Sequence, residues 1–309
     1  MRTSRRPTLV IVVLSLVAVA CTSDGEQVTS GGNGGESSAT PVTVEQVAST
    51  PEEDTASALT NRFLDDHPEP LIDPDAMRSG GPPPDGIPPI DEPKFLRAED
   101  VDFLEDTEPV LALTVGDESR AYPVQILIWH EIVNDTIDGI PVTVTYCPLC
   151  NSAIAFDRRL GDRILDFGTS GLLYNSALVM YDRQTETLWS HFTGEAAIGH
   201  LTGAVLDVLP MSTVSWEDWR EANPEGLVLS RDTGFDRSYG TNPYPGYDDV
   251  TSSPFLFDGE VDGRFAAKER ILGIERDGEA AAIRLAAPRR DVGDRAGRRR
   301  RGRRGADGH

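Results

Sequence analysis

Cysteine is scarce in this chain, with three in 309 residues. That excludes the disulfide-dense scaffold by which many small exported domains are held together. Long apolar runs are also missing. The most apolar stretch, Leu9 to Ala20, has twelve residues, short of the ~20 that a membrane-spanning helix needs. Basic charge is thin outside the C-terminal tail. From Arg284 onward there are ten Arg against three Asp, a balance of +7, so the rest carries −29 of the −22 total. A body this acidic does not bind nucleic acid by neutralising phosphates.

Several catalytic motifs are incomplete. "HEIVN", 130–134, has Asn134 where a zinc-protease helix needs its second His. "DTG", 232–234, has no second copy and reads as a turn. Ser170 in "FGTSG" lacks a Gly-x-Ser-x-Gly setting and a nameable acid–base partner. That stretch is no phosphate loop and reads as a tight hairpin turn.

What is present begins at the N-terminus. Arg2, Arg5 and Arg6 precede the apolar run, which ends in "AVAC" at Cys21. Residues 1–20 read as a lipoprotein-type signal peptide, with Cys21 as the lipidated residue and the chain anchored to the extracytoplasmic face of the cell membrane. Ala18 stands where such signals usually carry Leu. Residues 21–60, rich in Ser, Gly and Glu, read as a flexible tether. A single globular domain is expected over 61–283. The Arg-rich tail, 284–309, reads as a frameshifted end, because "ILGIERDGEAAAI", 271–283, repeats the pattern of "VLALTVGDESRAY", 110–122.

Within the domain, 61–95 is proline-dense and reads as an extended arm. Hairpins are expected over 109–124 and 178–199, and two strands joined by Leu-Gly-Asp over 153–171. A helix is expected over 124–135 from apolar residues at 124, 127, 128, 132 and 133. A second helix over 212–224 has a Ser or Thr cap, and Val142, Val144 and Tyr146 share one face of a strand. The fold class is β-rich α+β: several short antiparallel strands and hairpins with two or three helices.

The motifs "WHEIVND", "VTYCPLCNSAIAFDR", "FGTSGLLYNSALVMYDRQTETLWS", "TGEAAIG", "VLSRDTG" and "NPYPGYD" occur in one order between about Ile90 and Ile283. Together they resemble the family known as domain of unknown function 3179. The resemblance implies an exported or anchored prokaryotic protein and brings no activity with it. The family commonly shows Gln where this chain has His191, so the resemblance gives His191 no role.

Chemistry centres on Cys147 and Cys150, two residues apart at the end of a strand. Two thiolates at this spacing can hold a soft metal, exchange with another disulfide, or close a structural bridge. For a metal, His130 is the expected third ligand and copper(I) the expected ion, with zinc an alternative that wants a fourth donor. Met180 could add a thioether, but its place in "ALVMYD" suits a strand core. The metal reading implies a donor or acceptor protein as partner. In the exchange reading Cys147 attacks and Cys150 resolves. The third reading is a binding module with a structural disulfide. "SWEDW" and "NPYPGYD" gather aromatics that suit either packing or a binding rim. For the anchor, a Cys21→Ser variant should move from the membrane to the soluble fraction and lose fatty-acid labelling in growing cells.

Overall fold

In chain order the strands of the computed structural model are β1 (Met77–Ser79), β2 (Phe95–Arg97), β3 (Pro109–Val115), β4 (Glu118–Pro123), β5 (Ile132–Ile137) and β6 (Ile140–Cys147). Then come β7 (Ser152–Asp157), β8 (Arg159–Leu160), β9 (Arg163–Ile164), β10 (Phe167–Tyr174), β11 (Ala177–Asp182) and β12 (Leu188–Ser190). The last six are β13 (Ala196–Ile198), β14 (Val208–Leu209), β15 (Met211–Ser215), β16 (Leu227–Leu229), β17 (Ile271–Arg276) and β18 (Glu279–Arg284). Helices α1 (Val124–His130) and α2 (Trp216–Ala222) have seven residues each. The structure describes residues 56–276 and 279–285. The signal-peptide segment, Cys21, most of the tether and the tail beyond Leu285 lie outside them. Residues 56–60, expected as the end of the tether, include Ala58, which is fully buried.

Three sheets carry the fold. One has the order β1-β10-β11-β12-β13, one β14-β7-β6-β5, and one β15-β3-β4-β16-β2. All pairings are antiparallel except β16 with β4. The β-rich α+β class holds in its broad form, with the helices few and short. Val142, Val144 and Tyr146 of β6 pack with Leu111, Tyr122, Ile126 and Leu127 in one core. Cys147 of the same strand packs with Phe167, Leu178, Met180 and Trp189 in another. Side chains alternate across a strand, so the β5–β6–β7 sheet faces both cores.

β5 and β6 meet in a two-residue turn, with Ile137 paired to Ile140. Asp138 (φ 47°) and Gly139 (φ 74°) are both left-handed, as the turn matching strand twist requires, and Asp-Gly tolerates it. At Gly171 (φ 74°) an added Cβ would lie 2.1 Å from the Pro82 carbonyl. Only glycine lets the arm lie so close to β10. The proline-dense segment contains a 3-10 turn, Pro74–Ala76, and its later part lies along β10 and β5: Gly80 N–H donates to Gly171 O at 2.8 Å, Asp85 N–H to Thr169 O at 2.8 Å, and Ile90 N–H to Ile132 O at 2.9 Å.

Three expectations need correction. The helix over 124–135 stops at His130, and Ile132 and Val133 pair instead with Thr145 and Val144. Two consecutive β-branched residues fit a strand buried on both faces as well as they fit a helical stripe, and the ladder decides. "FGTSG" is not a hairpin turn but the start of β10, with a bulge between Thr169 and Leu172. The two strands around Leu-Gly-Asp are only the two-residue β8 and β9. The longer flanking strands, β7 and β10, go to different sheets.

The internal repeat is real at the level of backbone pairing. Leu111 pairs with Tyr122 and Ala112 with Ala121 in the first hairpin; Leu272 pairs with Ile283 and Gly273 with Ala282 in the second. Leu111 and Tyr122 are fully buried, whereas Leu272 and Ile283 are about half exposed. Helix α2 begins one residue after its cap, Ser215, whose side chain accepts from Asp218 N–H. Trp216 and Trp219 pack under the β3–β4 sheet, so the "SWEDW" aromatics are core.

Asp135 on β5 ties the first hairpin to the central sheet. It accepts from Arg120 at 2.6 Å and from the Tyr122 hydroxyl at 2.6 Å. Both side chains of the ion pair are nearly buried, at 11% and 6% exposure. Removing one partner strands the other charge. Asp135→Ala should therefore lower unfolding stability by about 3–5 kcal/mol, measured by urea denaturation, with a smaller loss for Asp135→Asn.

Candidate functional site

Pro148 to Asn151 form the turn between β6 and β7, whose ladder closes at Cys147 opposite Ser152. The Cys-x-x-Cys pair therefore sits on a β-hairpin turn and does not open a helix, as "NSAIAF" suggested. Both cysteines are free thiols. Cys147, the last residue of β6, is 1% exposed. Cys150, in the turn, is half-buried.

The two sulfurs differ electrically. The Cys150 thiol lies below its ordinary range, first through the hydrogen bond from Cys147, then through Ser152 and backbone N–H groups, against the opposing effect of burial. The Cys147 thiol lies well above its range, first through burial and then through its bond to Cys150 and the charge there. Of the pair, Cys150 is the one that holds a thiolate.

The imidazole at this site is His191, not His130. Cys150 Sγ lies 3.1 Å from Ser152 Oγ, and Ser152 Oγ lies 2.9 Å from His191 Nε2. On the far side of the ring, His191 Nδ1 lies 2.9 Å from Thr145 Oγ1. Thr145 has a single hydroxyl proton and donates it to the Ile154 carbonyl at 2.8 Å. It must therefore accept from His191 Nδ1–H, which leaves Nε2 as an acceptor. Ser152 O–H then donates to Nε2, and Ser152 Oγ is left to accept the Cys150 S–H. Burial pushes the His191 pKa down to about 4, so the ring is neutral at pH 7 and this assignment stands. When Cys150 ionises, the Ser152 proton can swing from the ring to the sulfur.

His130 does not join the cysteines. Its Nδ1 bonds the Pro88 carbonyl at 2.7 Å and its Nε2 the Tyr239 hydroxyl at 2.6 Å. Burial lowers its pKa, opposed by the Pro88 bond and aided by Arg237. Among the described residues no group of three His, Cys, Asp or Glu is placed to hold a metal ion. Met180 is fully buried in the same core as Cys147.

Glu131, next to His130, was not singled out by sequence. It caps α1 at φ 60°, outside the ordinary range for a residue with a Cβ, and its N–H donates to Leu127 O at 2.7 Å. Its side chain is 7% exposed. Burial, with the charge of Cys147 adding and the Tyr244 contact opposing, raises its pKa to about 8. Glu131 lines a cavity of about 440 Å3 together with Leu149, from between the two cysteines, and with Tyr244 and Tyr247 of the "NPYPGYD" loop. Those loop aromatics thus form a rim.

The family scan matches residues 84–297 to "Protein of unknown function (DUF3179)". The chain belongs to this family. No curated protein and no solved structure matches it. The matched span of this DUF3179 protein holds the cysteine turn, His191 and Glu131 alike.

The serine link can be tested alone. Ser152→Ala should raise the Cys150 pKa by about one unit, the worth of one charge-assisted hydrogen bond. The rate of iodoacetamide alkylation at pH 7 should fall several-fold, and its pH profile should shift upward.

Proposed function

We propose that the Cys147–Cys150 pair is a thiol–disulfide exchange centre, working outside the membrane to which the N-terminal segment would anchor the chain. The carrying observation is the inequality of the two sulfurs: one half-buried with a depressed pKa, the other fully buried with a raised pKa and within the electrostatic reach of a buried carboxyl. Entry and resolution need these two characters. An attacking thiol must be reached and ionised; a resolving thiol must be held back until the mixed disulfide forms.

The roles are the reverse of those suggested by chain order. Cys150 thiolate attacks one sulfur of a partner disulfide, forming a mixed disulfide and releasing the partner's other sulfur as a thiolate, which takes a proton. Cys147 then loses its proton. The acceptor assigned to that proton is Glu131, whose charge acts on that of Cys147 and whose pKa of about 8 lets it take and return a proton near neutrality. Cys147 thiolate attacks the Cys150 sulfur, closing the internal disulfide and releasing the partner's remaining thiolate. The partner gains two electrons and two protons, and the centre loses them. The reverse sequence oxidises a dithiol.

Soft-metal binding drew on three ligands in the sequence. With both ring nitrogens of His130 engaged elsewhere, the two sulfurs stand without it. Titrating the protein in dithiothreitol buffers, with alkylation and mass measurement, should give a reversible two-electron couple. Cys147→Ser should accumulate a mixed disulfide with an aromatic disulfide reagent, and Cys150→Ser should react slowly. Three outcomes overturn the reading: no internal disulfide on oxidation, a potential below about −300 mV, which marks a structural bridge, or stoichiometric copper(I) held so tightly that the thiols no longer exchange.

A further inference from the structure

The cavity beside the cysteine turn has a composition of its own. Leu172, Leu178, Pro243 and Phe255 give it apolar walls, and among its lining residues Glu131 is the single carboxyl, with no Lys, Arg or His beside it. Its volume, about 440 Å3, falls in the range of small-molecule sites. The other polar groups on the wall are engaged. Thr169 donates to the Ile87 carbonyl at 2.8 Å, and the Tyr247 hydroxyl accepts from Phe255 N–H at 3.1 Å. Glu131 has one long contact, from the Tyr244 hydroxyl at 3.5 Å. A carboxylate offers about four acceptor sites, and the Tyr244 hydroxyl is the protein donor that reaches it.

The carboxyl sets the sign of charge that the pocket favours. A buried carboxyl without a counter-ion is pushed to its neutral form, and an incoming cation reverses this by supplying the charge. An anion meets a carboxyl and a chain of net charge −22. The Tyr244 ring adds a face that attracts cations. The Glu131 backbone, at φ 60°, is strained for any residue but glycine or asparagine, and such strain persists where the side chain's position matters.

We propose that this pocket binds a small apolar amine, an ammonium group on an aromatic or aliphatic body, with the nitrogen against Glu131 and the body among the leucines and aromatics. Leu149 forms part of the wall, so a bound amine lies against the cysteine turn. The inference does not rest on the exchange reading, because binding needs neither sulfur.

Calorimetric titration of the full chain with three probes tests it: 2-phenylethylamine, 2-phenylethanol and 3-phenylpropionate. The amine should bind saturably at least tenfold more tightly than the alcohol, and the carboxylate should not bind. Glu131→Gln should remove the amine's advantage and leave the alcohol unchanged. Leu172→Trp, which fills the cavity from its wall, should abolish binding of both. The Cys147→Ser/Cys150→Ser double variant should bind the amine as the parent does, even if the exchange centre fails its own test. Equal affinity for amine and alcohol, no saturable amine binding, or amine binding that survives Glu131→Gln or Leu172→Trp overturns the proposal. If Glu131→Gln does not fold, the amine-to-alcohol ratio in the parent and the Leu172→Trp result decide.

Discussion

β6 is buried on both faces, and the rest of the site follows from that constraint. Such a strand must supply two cores with alternate residues. One set, Val142, Val144 and Tyr146, is apolar and fills the core under the first hairpin. The other set is Thr143, Thr145 and Cys147, all nearly inaccessible to water. Polar groups at that depth usually have partners, and Thr143 Oγ1 has none within the protein. Thr145 finds His191 and the Ile154 carbonyl. Cys147 ends the strand with its sulfur among Ile132, Leu178 and Met180, where little stabilises a thiolate. The turn then lifts Cys150 three residues away into a better solvated place. The inequality of the two thiols is a consequence of where the strand stops.

Much of the local structure was legible in the sequence. Alternation around Gly116-Asp117 located the first hairpin, because a two-residue turn leaves few choices of register. The helix expected over 212–224 was placed too early, because 212–215 belong to β15 and the capping Ser or Thr proved to be Ser215, at the strand's end. The 271–283 repeat was legible as a pattern, an apolar run, an acidic-Gly turn and small residues, and both copies pair as hairpins. The arm was legible because proline removes alternatives. What failed shares one cause: burial on two faces erases the period. Ile132 and Val133 extended a helical stripe on paper, yet the ladder with β6 claims them. "FGTSG" looked like a turn because its residues are small, and they are small because the arm crosses there, against Gly171.

The site was half legible. Cys147 and Cys150 announce themselves by spacing. Their imidazole does not, because His191 reaches them only through the pairing of β10, β11 and β12 and the packing of that sheet on β6. No local pattern encodes such a contact. The ring works through a hydrogen bond with Ser152, which a search for metal ligands would miss. His130 drew notice as the nearer histidine in sequence, but α1 ends there and turns its ring toward Pro88 and Tyr239.

Glu131 joins these features. α1 needs a left-handed residue to end before β5 begins, a place usually taken by glycine. Glycine would relieve a cost of about 1 kcal/mol. Instead a carboxyl stands there, near Cys147 and lining the cavity. The same backbone step that changes helix to strand sets the direction of its side chain. A helix end, a buried thiol and an apolar pocket thus meet at one residue, and the ionisation of Glu131 couples them. A charge at Glu131 disfavours a charge at Cys147, and a cation in the pocket favours the charge at Glu131. Occupancy of the pocket and reactivity of the buried sulfur are therefore linked through one carboxyl, with no conformational change required.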